Sequence, residues 1–470
     1  MALSQHLFDK LQQYLTYTPT SGQIELLRGL SEFITQPDNK AIFLINGYAG
    51  TGKTTAIAAL VNLLNEFKIR YVLMAPTGRA AKVMANYSGV PAYTIHKKIY
   101  RQKSHTDGVG VFTLGKNEYV NTFFIVDEAS MISNKSASES IFGSGKLLDD
   151  LYKFVQSGNG CKLILAGDTA QLPPVGTDQS PALDFQQLEK YGKVFSVHLT
   201  DVVRQAQKSG ILHNATLLRK NVESIYPENP QFDFNFPDIE SINGSQVLEK
   251  LTDAYERYGE HETVVVCRSN KRAIHYNNGI RSRLLFREEQ LTRHDRVMIV
   301  KNCYQFLEAN EEIDFIANGD VAEVLKIHKY EERYGLRYAE AVLQFPDFQQ
   351  VEITAKIVLD TLQLETPSIG GDRQRQLFFD VMEDYSNIKT KQNRYRAVRE
   401  DKYFNALQLK YAHAITCHKA QGGQWKAVFV DYPFREETPL TTEDLRWLYT
   451  AFTRASEKLY LVGYKAKRNP

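Results

Sequence analysis

Residues 41–54 read AIFLINGYAGTGKT. The opening six, AIFLIN, are an apolar run of strand length. The next eight satisfy GxxxxGK[ST] at every required position. Beyond them Ile57, Leu60, Val61 and Leu64 recur at helical spacing. Strand, glycine loop and helix in this order predict a phosphate cradle. The glycines let backbone N–H groups turn inward around phosphate oxygens, and the helix start adds the positive end of its dipole. Gly47, Gly50, Thr51, Gly52, Lys53, Thr54 and Thr55 are therefore the candidate nucleotide-binding residues. Lys53 supplies a point charge to the β- and γ-phosphates, and the Thr54 hydroxyl is the expected magnesium ligand. A glycine-rich turn without a ligand is the ordinary alternative, and the flanking strand and helix disfavour it.

Outward from this loop, YVLMA (71–75), TFFIV (122–126) and KLILA (162–166) repeat the strand signal between helical patterns. Short continuous apolar runs separated by helices predict a buried parallel sheet with helices on both faces. TVVVC (263–267), YAHAIT (411–416), AVFVD (427–431) and LYLVG (459–463) predict a second α/β unit. It is interrupted. Between about 291 and 402 the text turns to alternating stretches such as RVMIVKN and DVAEVLKIHKY, which suit a small β-rich insertion with NGD (318–320) as a tight turn. A charged, helical-looking segment follows at 371–402. A shorter insertion at 101–121, with GVGVFTLGKNEYV, predicts a β-hairpin.

Composition excludes several classes. The 470 residues suit about three domains at roughly 150 residues each. With 43 % hydrophobic and 24 % charged residues the chain is neither disordered nor collagenous. Lys plus Arg is 57 and Asp plus Glu 55, so a histone-like basic protein is excluded while a local basic groove is not. Cys161, Cys267, Cys303 and Cys417 form no CxxC pair, which argues against a zinc site or disulfide framework and for reduced thiols in a cytoplasmic setting. The start MALSQHLFDKLQQYL lacks the pattern of a signal peptide, and no run approaches the ~20 apolar residues that span a bilayer.

FIVDEAS (124–130) ends an apolar run with an acidic pair. Asp127 is placed to hold magnesium, directly or through water, and Glu128 to orient and deprotonate an attacking water. Alone, the pair would read as the cap of a following helix. Downstream of a full phosphate loop it reads as nucleotide hydrolysis.

Three further strings say what that hydrolysis drives: GDTAQLPPVG (167–176), YAHAITCHKAQGGQW (411–425) and LYTAFTRA (448–455). With the phosphate loop and DEAS, they resemble the ordered motifs of superfamily 1 helicases, most nearly the RecD-like and phage Dda-like branch, superfamily 1B. The resemblance spans nearly the whole chain. It implies an α/β fold of two RecA-like P-loop domains with ATP in the cleft between them, a hairpin insertion and an SH3-like barrel insertion. The expected layout is an N-terminal helical segment (1–35), a first RecA-like domain (36–200) with the hairpin at about 100–121, a second RecA-like domain in two parts (201–290 and 403–470), and the barrel with a helical arm (291–402).

The resemblance also assigns residues. Gln23 in TPTSGQ is expected to read the adenine edge, and Gln171 to sit near the γ-phosphate and its water. Gly422 joins the nucleotide-binding set. Arg204 in LTDVVRQ and Arg454 in AFTRA are expected arginine fingers, although Val203 stands where the family often has Phe. A planar guanidinium suits charge spread over equatorial phosphate oxygens. Tyr449 is expected either near the nucleotide or in helix packing. The strand track is assigned to Pro76, Thr77, Thr94 and His96 in the first domain and Thr416, His418 and Lys419 in the second. Phe112 and Tyr119 lie where the family carries a strand-separating pin; packing against the parent sheet is the alternative. The basic residues of 371–402 suit a DNA-facing arm or a solvated helix face.

The expected activity is an ATP- and Mg²⁺-dependent DNA helicase, a monomer moving 5′→3′ on single-stranded DNA up to single-/double-strand junctions, with no membrane partner. An RNA helicase of the same superfamily, or a DNA-binding subunit of a recombination or nuclease complex, are the rival readings.

Overall fold

Runs such as TFFIV and KLILA are buried along their full length, as strands covered on both faces must be. The computed structural model describes the chain apart from residues 1, 16, 103–111, 136–141, 203–207, 225–228, 304–315, 349, 435–437 and 466–470. Its first eight strands are β1 (Ile42–Gly47), β2 (Arg70–Ala75), β3 (Ala92–Thr94), β4 (Tyr100–Gln102), β5 (Phe112–Leu114), β6 (Thr122–Val126), β7 (Lys162–Gly167) and β8 (Val194–Leu199). Six of them form a parallel sheet in the order β3-β2-β6-β7-β1-β8. β4 and β5 pair antiparallel as a separate hairpin.

Side chains alternate across a strand, and the two faces of β1 show what that builds. Phe43 and Ile45 pack with Leu27, Leu30 and Phe33 of the helix Ser21–Thr35 and with Ile57 and Leu60 of the helix Lys53–Glu66. Ile42 and Leu44 face the other way, toward Leu151 and Phe154 of the helix Leu147–Ser157. Each fully buried side chain of this kind contributes about 1.5–3 kcal/mol. The N-terminal helices are thus one cover of the first sheet. Lys162, buried at the start of β7, donates to the carbonyls of Phe33 (2.9 Å), Ile34 (3.3 Å) and Gln36 and so satisfies the end of the helix Ser21–Thr35.

The second unit begins with β9 (Ile239–Ile242) and β10 (Thr263–Cys267). The chain then builds a closed barrel from β11 (Arg296–Ile299), β12 (Val321–Arg333), β13 (Leu336–Phe345), β14 (Val351–Val358) and β15 (Leu407–Tyr411). It returns as β16 (Ala414–Thr416), β17 (Trp425–Asp431) and β18 (Ala455–Val462), giving a parallel sheet in the order β16-β10-β17-β18-β9. The turn between β12 and β13 has positive φ at Tyr334 (53°) and Gly335 (63°), the two-residue geometry that follows strand twist.

One expected strand is corrected here. Residues 411–416 are two strand ends, not one strand. Tyr411 closes β15 and lies in the barrel core, whereas Ala414 opens β16 and lies in the core of the second sheet. The barrel therefore uses residues beyond 402: β15 pairs with both β11 and β14. In the 371–402 segment the helices Gly371–Asp384 and Lys391–Glu400 seat Leu377, Val381 and Val398 on Tyr338 and Val358. Arg373 pairs with Asp380 (3.7 Å) and Arg396 with Glu400 (3.0 Å), as on a solvated helix face. Among the described residues, no helix is long and apolar enough to cross a membrane.

Candidate functional site

The phosphate loop turns out of β1 into the helix Lys53–Glu66 through two left-handed residues, Gly50 (φ 74°) and Gly52 (φ 86°). Only glycine takes these angles without strain. A side chain at 52 would also meet Gln23, whose Nε2 lies 2.1 Å from an ideal Cβ there. Gln23 is buried and donates to the carbonyl of Thr51 (3.0 Å) and to the Tyr17 hydroxyl (3.0 Å), while its own helix start is closed by a capping box with Thr20. The Thr51 hydroxyl donates to Tyr48 O (2.7 Å). Lys53 reaches back across the loop to the carbonyls of Gly47 and Tyr48. Thr54 is exposed and Thr55 half-buried on the first turn of the helix.

Two acids end the adjacent strands. Asp127, after β6, accepts from the Tyr87 hydroxyl (2.7 Å) and the Glu128 N–H (2.8 Å), and burial, then the neighbouring Glu128, raises its carboxyl above the usual range. Glu128 itself sits at φ 53°, an uncommon angle for a residue with a side chain. Asp168, after β7, is also raised by burial, opposed by Lys53 and by a bond from Tyr449. Among the described residues no group of three or more His, Cys, Asp or Glu could hold a metal ion by itself.

The second unit reaches this site where its two strings, 411–425 and 448–455, meet 167–176 of the first. The Tyr449 hydroxyl donates to Asp168 (2.7 Å) and accepts from the Ala49 N–H (2.8 Å), so one oxygen joins the phosphate loop, β7 and the helix Thr442–Phe452. The Thr450 hydroxyl accepts from Leu172 N–H (2.9 Å), and Gln421 donates to Leu172 O (2.6 Å). Arg454 is buried and donates to the carbonyls of Thr450 (3.1 Å) and Gly423 (3.2 Å) and to the Thr453 hydroxyl (3.2 Å). Its Nη1 lies 3.8 Å from Glu128 Oε1 across the cleft. Gln171 is buried between the units, its Oε1 without a partner among the described residues.

A cavity of about 160 Å³ opens where both units meet the barrel. Thr77 and Arg79 line it from the first unit, Arg296 from the barrel, and Lys419 and Trp425 from the second unit. The Arg79 guanidinium stacks 3.8 Å over the Trp425 ring, and burial lowers it to about 10. Burial likewise lowers Lys419, to about 8, and raises Asp320, to about 7. Trp425 Nε1 and Arg296 Nε are buried donors with no acceptor among the described residues.

Family models match at both ends of the chain: an AAA domain over residues 21–226 and a UvrD-like helicase C-terminal domain over 411–462. The ATP-dependent RecD2 DNA helicase of Deinococcus radiodurans is 25 % identical, across 93 % of this chain and 49 % of its own length. This chain is similar to superfamily 1B, RecD-like helicases. The uncharacterised protein MJ1519 of Methanocaldococcus jannaschii is 23 % identical over 91 % of this RecD-like chain and 37 % of itself. The chain thus spans between a third and a half of these two relatives. A solved Pif1 helicase from Bacteroides, with ADP-AlF3 and ssDNA, is similar at 15 % identity and TM-score 0.46, covering 95 % of this chain and 93 % of that one.

Within this RecD-like chain several expected residues fall elsewhere. Phe112 is not an exposed wedge. It is buried, 4.8 Å from Phe142 by ring centroid, and belongs to the core beneath the first sheet. Tyr119 likewise packs edge-on to Phe124. Of the two readings left open for Phe112 and Tyr119, a base-pair wedge or packing on the parent sheet, these contacts fit the packing; the hairpin tip, 103–111, lies outside the described residues, as does Arg204. Gly422 (φ 71°) abuts the helix after Thr77: an ideal Cβ there would lie 2.7 Å from Ala80 and 3.3 Å from the Thr77 hydroxyl. It is a contact between units, not a wall of the phosphate loop. His96 packs on Phe142 and Tyr100, and burial lowers it to about 4. Thr77 and Thr94 accept from the N–H groups of Ala80 and Lys97, so both cap helices, and Thr416 stands at the same strand-to-helix position. Pro76 is half-buried at the end of β2, and His418 is exposed at the cavity rim. Sequence reasoning missed Asp168 and Tyr87. An acid directly ending an apolar strand, as in FIVDE, was the available sign for Asp168 in LILAGD.

Proposed function

We propose that this chain hydrolyses ATP between its two α/β units and uses the cycle to travel 5′→3′ along single-stranded DNA, opening duplexes at single-/double-strand junctions. The observation that carries the reading is the Tyr449 hydroxyl, shared between the Ala49 N–H of the phosphate loop and Asp168. It makes the shape of the loop depend on where the second unit stands. Arg454 facing Glu128 adds a cation from the same unit.

The loop fits a triphosphate. Its left-handed glycines present backbone donors, Lys53 is at hand, and no side chain fits at 52. Thr54 and Asp127 would hold Mg²⁺, two protein oxygens being few, as suits an ion that keeps its waters and phosphate ligands. When bound, that ion would neutralise charge between the β- and γ-phosphates. Glu128 then takes a proton from the water that attacks the γ-phosphorus, as the bond to the departing ADP breaks. Gln171 orients that water through its free Oε1. Arg454 and Arg204 stabilise the transferring phosphoryl group, and Gln23 reads the adenine edge.

Thr77, Thr94, Thr416 and Lys419, with Pro76, His96 and His418 around them, form the track for the DNA backbone. Two of the threonines cap helices, where N–H groups attract phosphate, and Lys419 and Arg79 add positive charge at the cavity. ATP binding favours the closed arrangement and its loss the open one, so each unit holds the strand in turn. Unwinding of duplexes carrying a 5′ or a 3′ tail, with ATP, tests activity and direction together. Opening of the 5′-tailed duplex alone is the expected result; opening of neither, with no ATP turnover, rejects the reading.

A further inference from the structure

The phosphate motif leaves four positions free, here Tyr48 to Thr51. Three of them are gripped from the second unit. The Tyr48 hydroxyl donates to Glu223, and the Arg219 guanidinium lies 4.3 Å over its ring. The Ala49 N–H donates to Tyr449. A side chain at Gly50 would press on Leu212, 3.0 Å from an ideal Cβ. Leu212 and Arg219 stand on the helix Gly210–Val222, which Glu223 ends; its Ile211, Ala215 and Leu218 lie in the same core as Val264, Val428 and Leu459 of the second sheet. Arg219 also donates to Thr200 O (3.0 Å), directly after β8, so the helix is pinned where the chain leaves the first unit.

Phosphate chemistry asks nothing of a phenol at 48. Its ring is turned from the cradle toward His198 (5.0 Å between centroids) and Arg219, and burial and Glu223 hold its proton in place. Glu223 is exposed, at the foot of the helix, and among the described residues its bond to the cradle is the one from Tyr48. We infer that Tyr48 and Glu223 form a positioning pair that ties the phosphate loop to the second unit, so that nucleotide affinity and DNA affinity are linked through this bond.

The inference rests on the proposed function, and its test reads equilibrium binding as well as turnover. Affinity for a fluorescent ADP is measured with and without a single-stranded oligo-dT, in the full chain, in Glu223→Ala, in Tyr48→Phe and in the double variant. Linkage between two sites is typically about 5- to 150-fold. In the parent chain the oligonucleotide is expected to shift the ADP affinity about tenfold. In Glu223→Ala the affinity without DNA stays within about twofold, while the shift falls below about threefold. Tyr48→Phe loses the same shift, and the double variant loses no more, because both remove one bond. A merely structural role would lower affinity without DNA and leave the shift in place. Full shifts in both single variants, losses that multiply in the double, or a parent chain with no shift overturn the pair. Failure of the motor reading shows separately, as absent ATP turnover in a parent chain whose binding shift is intact.

Discussion

Tyr449→Phe removes one oxygen and leaves the buried ring to fill its space. That oxygen serves Ala49 N–H at 2.8 Å and Asp168 at 2.7 Å. A bond to an ionised acceptor contributes about 1.5–3 kcal/mol, and an orphaned buried N–H costs about 1–3 kcal/mol. Because the two share one atom and a water can enter in part, the joint loss is about 2–4 kcal/mol. All of it falls on the closed arrangement, in which loop and second unit meet. At about 1.4 kcal/mol per tenfold, the closed-to-open ratio drops roughly 30- to 700-fold. DNA-stimulated kcat/KM for ATP should fall within that range, while thermal unfolding of the first unit moves little. A pH signature accompanies it. Tyr449 lowers the Asp168 carboxyl that burial raises. Without the phenol the carboxyl takes up its proton at higher pH, so the deficit widens toward the acid end. A kcat/KM within about twofold of the parent across the pH range would refute the claim that this oxygen couples the units.

Lys53→Ala should abolish ATP turnover while single-stranded DNA still binds by fluorescence anisotropy. Arg454→Ala should spare binding of a fluorescent ATP analogue and reduce DNA-stimulated turnover by about 10³-fold, the lower end for an arginine finger; normal turnover removes that role. Lys419→Ala should make the salt dependence of single-strand binding shallower by about 0.7 in log–log slope, one phosphate contact. Asp320 titrates at about 7 when folded against an ordinary 3.8. Its protonated form is the one the fold favours, so the stability it contributes is whole below about pH 4 and lost by about pH 7, of order 4 kcal/mol. Asp320→Asn should therefore flatten the fall of Tm over that window, and an unchanged Tm–pH profile would show that Asp320 is not the group responsible.

What was legible in the chain was what is local. GYAGTGKT needs only consecutive residues, and TFFIV or KLILA are strands because both their faces are covered. The break within YAHAIT was not legible. Tyr411 and Ala414 read alike as strand residues, and nothing nearby says that one belongs to a barrel and the other to a sheet. His413 between them is fully buried, held by contacts with Tyr255 and Glu260 that lie more than 150 residues away. The role of Phe112 stayed open for a similar reason. Alternation predicts a hairpin, but which face turns inward is set by Phe142, a residue thirty positions on. The cross-cleft bonds of Tyr449, Thr450 and Gln421 join residues more than 240 apart, so spacing could name the strings and not their pairings.

How the barrel is attached decides how many bodies the motion involves. Between barrel and second unit the chain crosses at Ala412 and His413, and the seam is buried charge: Arg281 binds Asp295 through two bonds (2.9 and 2.8 Å), and Arg287 binds Asp295 (3.1 Å) and Glu260 (3.5 Å). Removing one partner from such a buried set costs about 3–5 kcal/mol, because the other charge is left uncompensated. Between barrel and first unit the described ties are lighter: Lys82 with Asp347 (2.8 Å) and Pro346 O (3.4 Å), its amine end half-exposed, the packing of Asp320 and Phe348 on Gly78, and Ala317 against the core of the first sheet. A pair whose lysine end stands half in solvent contributes about 1 kcal/mol. On the proposed cycle, the seam that would yield is therefore the one beside Gly78, with the barrel travelling with the second unit. That seam also bounds the cavity holding Arg79, Arg296 and Lys419. On the proposed cycle, opening would part Arg79 from Trp425 and Lys419 and so separate the cations of the two units.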